Sequence, residues 1–396
     1  MKRWPIVLLE DFVAKKSGSV DPAKFPKEVF DLYSIPAFDA GQPDVCAGSE
    51  IGSAKQVVQP NDVLLSRIVP HIRRAWVVGE NRSRRLIASG EWIVFRSPQI
   101  RPRYLRYFLV GDPFHAQFMQ TVSGVGGSLL RAKAAEVAKI EIPVPPLAEQ
   151  ERLVKLLDEA DELRKLRTQA DHRTANLISA LFHDMFGPDA PGSATWQTAT
   201  VAELAAAQEG SIRTGPFGSD LRHSEFVEEG VPVLGIDNVV ENEFRWTKSR
   251  CIPEAKFAEM KRFVVFPGDV LVTIMGTVGR CSIAPEELPV CISTKHLCTV
   301  TLDRTKAHPR FIWGAFLHDA FVKQQTRSVG KGAIMEGWNS TIIKRLRLRV
   351  PPLPLQKQFA ARVSEIRAVQ AEQFASRHRL NDLFHSLLHR AFQGQL

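Results

Sequence analysis

The sequence predicts an α+β fold made twice in tandem: a globular domain and a long helix, then a second globular domain and a second long helix. The first observation behind this is an internal repeat. Residues 144–187 align without a gap against 350–393 at an offset of 206, and twelve of the 44 positions are identical. They include Val144/Val350, Pro145/Pro351, Pro146/Pro352, Leu147/Leu353, Gln150/Gln356, His172/His378 and Phe186/Phe392. A weaker match continues upstream, where PNDVLLSRI (60–68) resembles PGDVLVTIM (267–275) and RPRYLRYFL (101–109) resembles HPRFIWGAF (308–316), both at offset 207. The second observation is that Pro-Pro opens each matched segment, a residue type tolerated only at a helix start, and no Gly or Pro follows from Ala148 to Phe186. The third is an apolar rhythm alternating three and four residues in both copies, the seam of a coiled coil.

Taken in order, residues 1–143 form the first globular domain and 144–187 the first long helix. Residues 188–349 form the second domain and 350–396 the second helix. Within the domains, VFDLYSIPAFD (29–39), AWVVG (75–79), WIVFR (92–96), FVVFPGDVLVTIMG (263–276) and HLCTVTLD (296–303) read as short strands bounded by Pro, Gly and Asp. Residues 104–122 and 310–329 read as helices. The seam positions predict that the two long helices pair antiparallel, with pseudo-two-fold symmetry. Leu153, Leu163, Arg167 and Leu181 lie on one side; Phe359, Val369, Gln373 and Leu387 lie on the other. In that register Arg167 meets Gln373, Leu153 meets Leu387 and Leu181 meets Phe359.

Composition narrows the function. The 396 residues carry 52 Lys+Arg against 43 Asp+Glu, a net charge of +9, and residues 1–143 alone are net +6. Clustered cations on a folded domain attract phosphate. Arg67, Arg73 and Arg74 in the first domain, and Arg213, Arg222 and Lys331 in the second, are the charge-based candidates; Arg131, Lys133 and Asn339 lie in the loops before the long helices and Ser219 in the TGPFGS turn, whose glycines allow close backbone approach to a ligand, and these complete the set of candidate DNA-contacting residues. Arg and Lys suit guanine, Asn suits adenine, and Ser adapts to either. No run of 18 apolar residues predicts a membrane helix, and the short apolar run after Met1 is closed by Glu10 and Asp11. Five cysteines without a C-x-x-C pair fit a reducing compartment, so a cytoplasmic location is expected.

Catalytic signatures are sparse. There is no phosphate-binding G-x-x-x-x-G-K-[ST], no H-E-x-x-H and no Asn/Asp-Pro-Pro-Tyr/Phe tetrapeptide. Cys291, His296 and Cys298 lack metal-site spacing, so buried strand residues are the plainer reading and no metal is expected. Glu254 and Lys256 leave open a Mg-dependent nuclease, and the seam leaves open a coiled-coil adaptor that binds only protein.

The arrangement as a whole resembles the specificity (S, or HsdS) subunit of type I restriction–modification systems. The resemblance rests on IEIPVPPLAEQERLVKLLD (140–158), on RTGPFGSDL (213–221), GVPVLGIDNV (230–239) and FPGDVLVTIMGTVGR (266–280), and on the duplication of the whole pattern. It implies that the globular domains are two target-recognition domains, each reading one half of a bipartite DNA site. It implies that the chain is not itself an enzyme and binds no cofactor. Its partners would be double-stranded DNA, two methyltransferase subunits that use S-adenosylmethionine, and restriction subunits that use ATP and Mg. The first domain departs from the pattern, since it lacks the TGPFG string and has Asn61 where the second has Gly268.

Overall fold

The computed structural model describes residues 4–15, 18–80, 83–124, 130–218, 220–247, 250–327 and 337–396. The chain folds into two compact units, Met1–Gln169 with Phe374–Leu396, and Ala170–Gln373. These units follow the helices differently from the segment boundaries read in the sequence. Each long helix gives part of its length to one unit and the rest to the other.

In the first unit a five-stranded sheet runs in the order Ser19–Val20, Lys55–Val57, Arg85–Ala88, Val29–Tyr33, Asp44–Ala47. Its one parallel pair is Val29–Tyr33 with Arg85–Ala88. A three-stranded antiparallel sheet has Val63–Ser66 between Ala75–Val77 and Trp92–Phe95, and Val13 bridges to Phe95 at its edge. The predicted strand over 29–39 stops at Tyr33, because Ser34 accepts the Ala37 N–H and caps a helix, Ile35–Ala40. The predicted helix over 104–122 divides at Gly111 into Pro102–Val110 and Asp112–Gln120, since Pro113 can start a helix but cannot continue one. Tyr104, Tyr107 and Phe108 of the first of these pack with Leu153 and Leu157 and with Phe384 and Leu388 in one core.

The second unit repeats the plan. A mixed sheet runs Cys251–Ile252, Val231–Leu234, Cys291–Ser293, Val264–Val265, again with one parallel pair, Val231–Leu234 with Cys291–Ser293. An antiparallel sheet runs Ile212–Thr214, Leu297–Val300, Val270–Thr273, Cys281–Ile283. Cys291 and Cys298 are buried in these two different sheets. The predicted helix over 310–329 divides at Asp319, whose carboxylate accepts the Phe321 N–H. Phe182, Phe186, Phe311, Trp313 and Phe359 form the aromatic centre of its core.

The second long helix is continuous over Leu353–Phe392, 40 residues and about 60 Å. The first is not. It runs Leu147–Ala175, breaks at Asn176 and resumes as Leu177–Phe186. The cause lies one turn earlier: the Gln370 amide donates to the Thr174 carbonyl at 3.0 Å, the oxygen that Ile178 N–H would need.

Within each unit the helix segments run antiparallel. In the first, Arg164 donates to Asn381 at 2.8 Å and lies 4.3 Å from the Phe384 ring centroid. Farther back along the first helix, Tyr107 bonds Asp158 and faces Phe384, and Tyr104 bonds the Pro143 carbonyl and faces Phe392. In the second, Thr174 donates to Gln373 at 2.7 Å while Phe182 faces Phe359.

The expected seam holds at Leu153 and Phe359 but elsewhere falls one residue early. Leu153, Leu157, Ala160 and Arg164 face inward, as do Phe359, Val363, Phe384, Leu388 and Ala391. Leu163 and Val369 are about half exposed and are not seam residues. Leu181 and Leu387 pack only at the margins of the two cores. Gln373 accepts a bond from the Thr174 hydroxyl. Adjacent apolar pairs such as Leu156-Leu157 and Leu387-Leu388 fit either phase of a three–four rhythm, so the spacing alone does not choose.

Candidate nucleic-acid interface

The repeated motif has a structural task, and it is the same in both units. Gln150 and Gln356 are fully buried. The Gln150 carbonyl accepts the Arg101 N–H at 2.7 Å, and its amide donates to the carbonyls of Pro145 and Gln99 at 2.8 and 3.2 Å. Gln356 accepts the His308 N–H at 2.8 Å and donates to Pro351 and Lys306 at 2.8 and 3.4 Å. Each glutamine thus locks a long helix to the start of the helix Pro102–Val110 or Pro309–His318.

A second repeated device is a buried carboxylate. Asp62 accepts the Gln59 N–H, and Asp269 the Phe266 N–H, closing equivalent turns. The residue before each has a left-handed backbone, Asn61 at φ 71° and Gly268 at φ 75°, a conformation that Gly and Asn adopt more readily than other residues. The countercharge comes from different strands. Arg96 forks onto Asp62 with two bonds of 2.6 Å. In the second unit the position of Arg96 holds Thr301, and Arg213 reaches Asp269 at 2.6 Å from the strand position where the first unit has Ala14. The Arg213 side chain is 8% exposed and also bonds the Val264 and Gly210 carbonyls. Arg213 is therefore an interior strut, not a DNA contact.

The four arginine candidates of the first unit are held by acids distant in sequence. Arg67 and Arg131 meet on one carboxylate, Glu91, at 3.3 and 2.8 Å. Arg73 pairs with Asp112 at 2.6 Å and bonds the Val110 carbonyl. Arg74 is buried and forks onto Asp39 at 2.8 Å twice. The guanidinium hydrogen bonds hold the Asp39 and Asp112 carboxyls below the usual carboxylate range. Lys133 is exposed and has no ion pair among the described residues.

In the second unit, Arg222 is exposed, with its N–H on Glu225 at 2.6 Å. Asn339 caps the helix Ser340–Arg345 by accepting the Ile342 N–H. Ser219 and Lys331 lie outside the described residues. Lys256 pairs with Glu225 and Glu259 at 2.9 and 3.2 Å and is not directed at Glu254. Among the described residues no group of three or more His, Cys, Asp or Glu could hold a metal, and no helix is long and apolar enough to cross a membrane.

At one end of each antiparallel sheet a turn projects: 67–74 between Val63–Ser66 and Ala75–Val77, and 274–280 between Val270–Thr273 and Cys281–Ile283. Its tip carries exposed His71 and Ile72 in the first unit and exposed Thr277 in the second, where Arg280 is exposed at the foot of the returning limb. Val69 adopts φ 47° where the second unit has Gly276 at φ 76°. For a β-branched residue that conformation costs about 1–2 kcal/mol. Ile72 and Thr277 were not among the residues singled out by charge. The upstream repeat PNDVLLSRI/PGDVLVTIM ends at these turns and is the signal that points to them.

No family model matches the chain. The MjaVIII type I restriction enzyme specificity subunit of Methanocaldococcus jannaschii is 23% identical over 243 residues, 57% of this chain and 55% of that protein. The chain thus spans about half the length of the curated relatives it matches. A chain from a structure on complex assembly and conformational transition of the type I R-M system aligns over 100% of this chain and 98% of its own, at TM-score 0.67 and 20% identity.

The chain is similar to type I specificity subunits.

The S subunit of the type I system from M. genitalium shares the fold at TM-score 0.57 and 12% identity, covering 98% of this chain and 96% of its own. The likeness to type I specificity subunits therefore extends, as a fold, over both units and both long helices.

Proposed function

We propose that the chain is the DNA-specificity subunit of a type I restriction–modification complex, without catalysis of its own. Each unit reads one half of a bipartite, asymmetric site on double-stranded DNA, and the long helices set the spacing and dock the partners. The partners are two methyltransferase subunits, which bring S-adenosylmethionine, and restriction subunits, which bring ATP and Mg. The complex works in the cytoplasm.

The observation that carries this reading is one frame built twice in a single chain, with the same buried glutamine and carboxylate devices and different exposed side chains. Two equivalent frames suit two copies of one methyltransferase, and two different surfaces suit two different half-sites. Phosphate contacts place each unit, and base-edge contacts select the sequence. The arginine clusters, each tied to a carboxylate and only partly compensated, fit this division, because a surface of wholly uncompensated cations would bind every sequence alike.

Methylation mapping of the host genome with and without the gene tests the reading. The expected result is an adenine-methylated sequence of two different parts separated by a fixed gap, lost on deletion. An unchanged methylome, or a single continuous sequence, would contradict it.

A further inference from the structure

The two sheet-end turns share three backbone hydrogen bonds at equivalent positions. Ser66 N–H donates to the Arg74 carbonyl, and Thr273 N–H to the Arg280 carbonyl. Arg67 N–H donates to Glu91, and Ile274 N–H to His296. Ala132 N–H donates to the Arg67 carbonyl, and Trp338 N–H to the Ile274 carbonyl. The buried hydroxyls of Ser66 and Thr273 turn into their own loops, onto the carbonyls of Ile68 and Thr277. The left-handed residue, Val69 or Gly276, falls at the same place in each.

Each frame is also braced from outside. In the first unit His115 meets the Pro70 carbonyl at 3.3 Å, while Arg73 and Arg74 hold the returning limb to Asp112 and Asp39. In the second the Trp338 ring packs against Gly279, where an added Cβ would sit 3.2 Å from it. A rigid frame kept through duplication, against the strain at Val69, contrasts with tips that share nothing: Pro70-His71-Ile72 against Thr277-Val278-Gly279. A constant scaffold with a variable, exposed tip is the arrangement of a reading loop.

Resting on the DNA-specificity reading above, we propose that these two turns are the base-reading elements, one for each half-site. The tip chemistry matches base edges. His71 offers ring nitrogens, and Ile72, 43% exposed, offers an apolar face for a thymine methyl. Thr277 offers a hydroxyl, and beside the tip, at the foot of the returning limb, the exposed Arg280, without an ion pair among the described residues, offers a fork for guanine. The surroundings favour an anion. In the first unit Glu91 is outnumbered by Arg67 and Arg131, with Lys133 exposed after the Ala132 bond. In the second, Lys295 and Arg250 are close enough to His296 to lower its proton affinity, after burial.

The test replaces the chromosomal gene by variants and maps methylation. His71→Ala/Ile72→Ala should relax the sequence in one half only, with discrimination at the affected bases falling roughly tenfold or more. Thr277→Ala/Arg280→Ala should relax the other half only. Melting of the purified variants should match the parent, because the tip side chains are exposed. Unchanged sequences in both variants, relaxation of both halves by either one, or loss of methylation at all sites together would overturn the assignment. So would unchanged half-sites with weakened methyltransferase association, since the tips would then bind protein. If the unaltered gene itself yields no two-part sequence, the specificity reading fails as well, and the two failures are told apart by that control.

Discussion

Replacing Arg213 by alanine separates an interior strut from a DNA contact. Asp269 is 1% exposed and accepts three bonds, from Arg213 and Thr301 at 2.6 Å each and from the Phe266 N–H at 2.9 Å. Arg213→Ala leaves that carboxylate buried with two neutral donors and also removes a donor from the Val264 and Gly210 carbonyls. Breaking a buried pair in this way costs about 3–5 kcal/mol, a large share of a typical domain's stability of about 5–15 kcal/mol. The first unit supplies its own control, because it places the cation at Arg96 and has Ala14 in the Arg213 position. Arg213→Ala/Thr301→Arg moves the cation to the place the first unit uses and should recover most of the loss. Urea unfolding followed by tryptophan fluorescence reports both, with the methylated sequence mapped alongside. A cost within about 0.5 kcal/mol, the range of ordinary surface changes, combined with weaker DNA binding would refute the strut and return Arg213 to the interface.

Gln150→Ala and Gln356→Ala should each destabilise their unit by about 1–3 kcal/mol, since each removes the partner of a backbone N–H and strands a buried proline carbonyl; thermal melts check this, and a loss confined to one of the two would break the equivalence. Acid should weaken the second unit through His318, which burial, then Lys323, His183 and Arg367, lowers to about 4. Between the ordinary histidine value near 6.5 and about 4 the unfolded chain takes up the proton and the folded chain does not, so stability falls as pH falls through that window. His318→Leu should flatten the profile in urea melts taken from pH 7 to 4, and an unchanged slope would exclude His318 as the cause. Gln370→Ala frees the Thr174 carbonyl and should restore regular helix across Asn176, read as recovered amide-exchange protection at Ile178.

Much of the fold was legible because duplication leaves an offset, and the offset reached the positions that matter. It paired Gln150 with Gln356 and Asn61 with Gly268 before either had a role, and the left-handed turn then accounted for the one mismatch. The interface was less legible. Arg67, Arg73, Arg74 and Arg131 read as a basic patch because the sequence displays charges but not partners, and Asp39, Asp112 and Glu91 lie 20 to 40 residues away along the chain. Arg213 was hidden by the same limit, since nothing local tells a buried arginine from an exposed one. The helix seam was found in kind and placed correctly at Leu153 and Phe359 but one residue early elsewhere, because Leu156-Leu157 and Leu383-Phe384 satisfy both phases. The break at Asn176 depends on a side chain from the other helix, which no local pattern reports.

The central claim is that each unit reads its own half of one DNA site. Replacing residues 1–143 by the matching segment of another specificity subunit with a different target, and mapping methylation in the host, tests it most directly. The account predicts that one half of the methylated sequence changes to the donor's while the other half and the gap stay as they were. A change in both halves, or in neither, would contradict it.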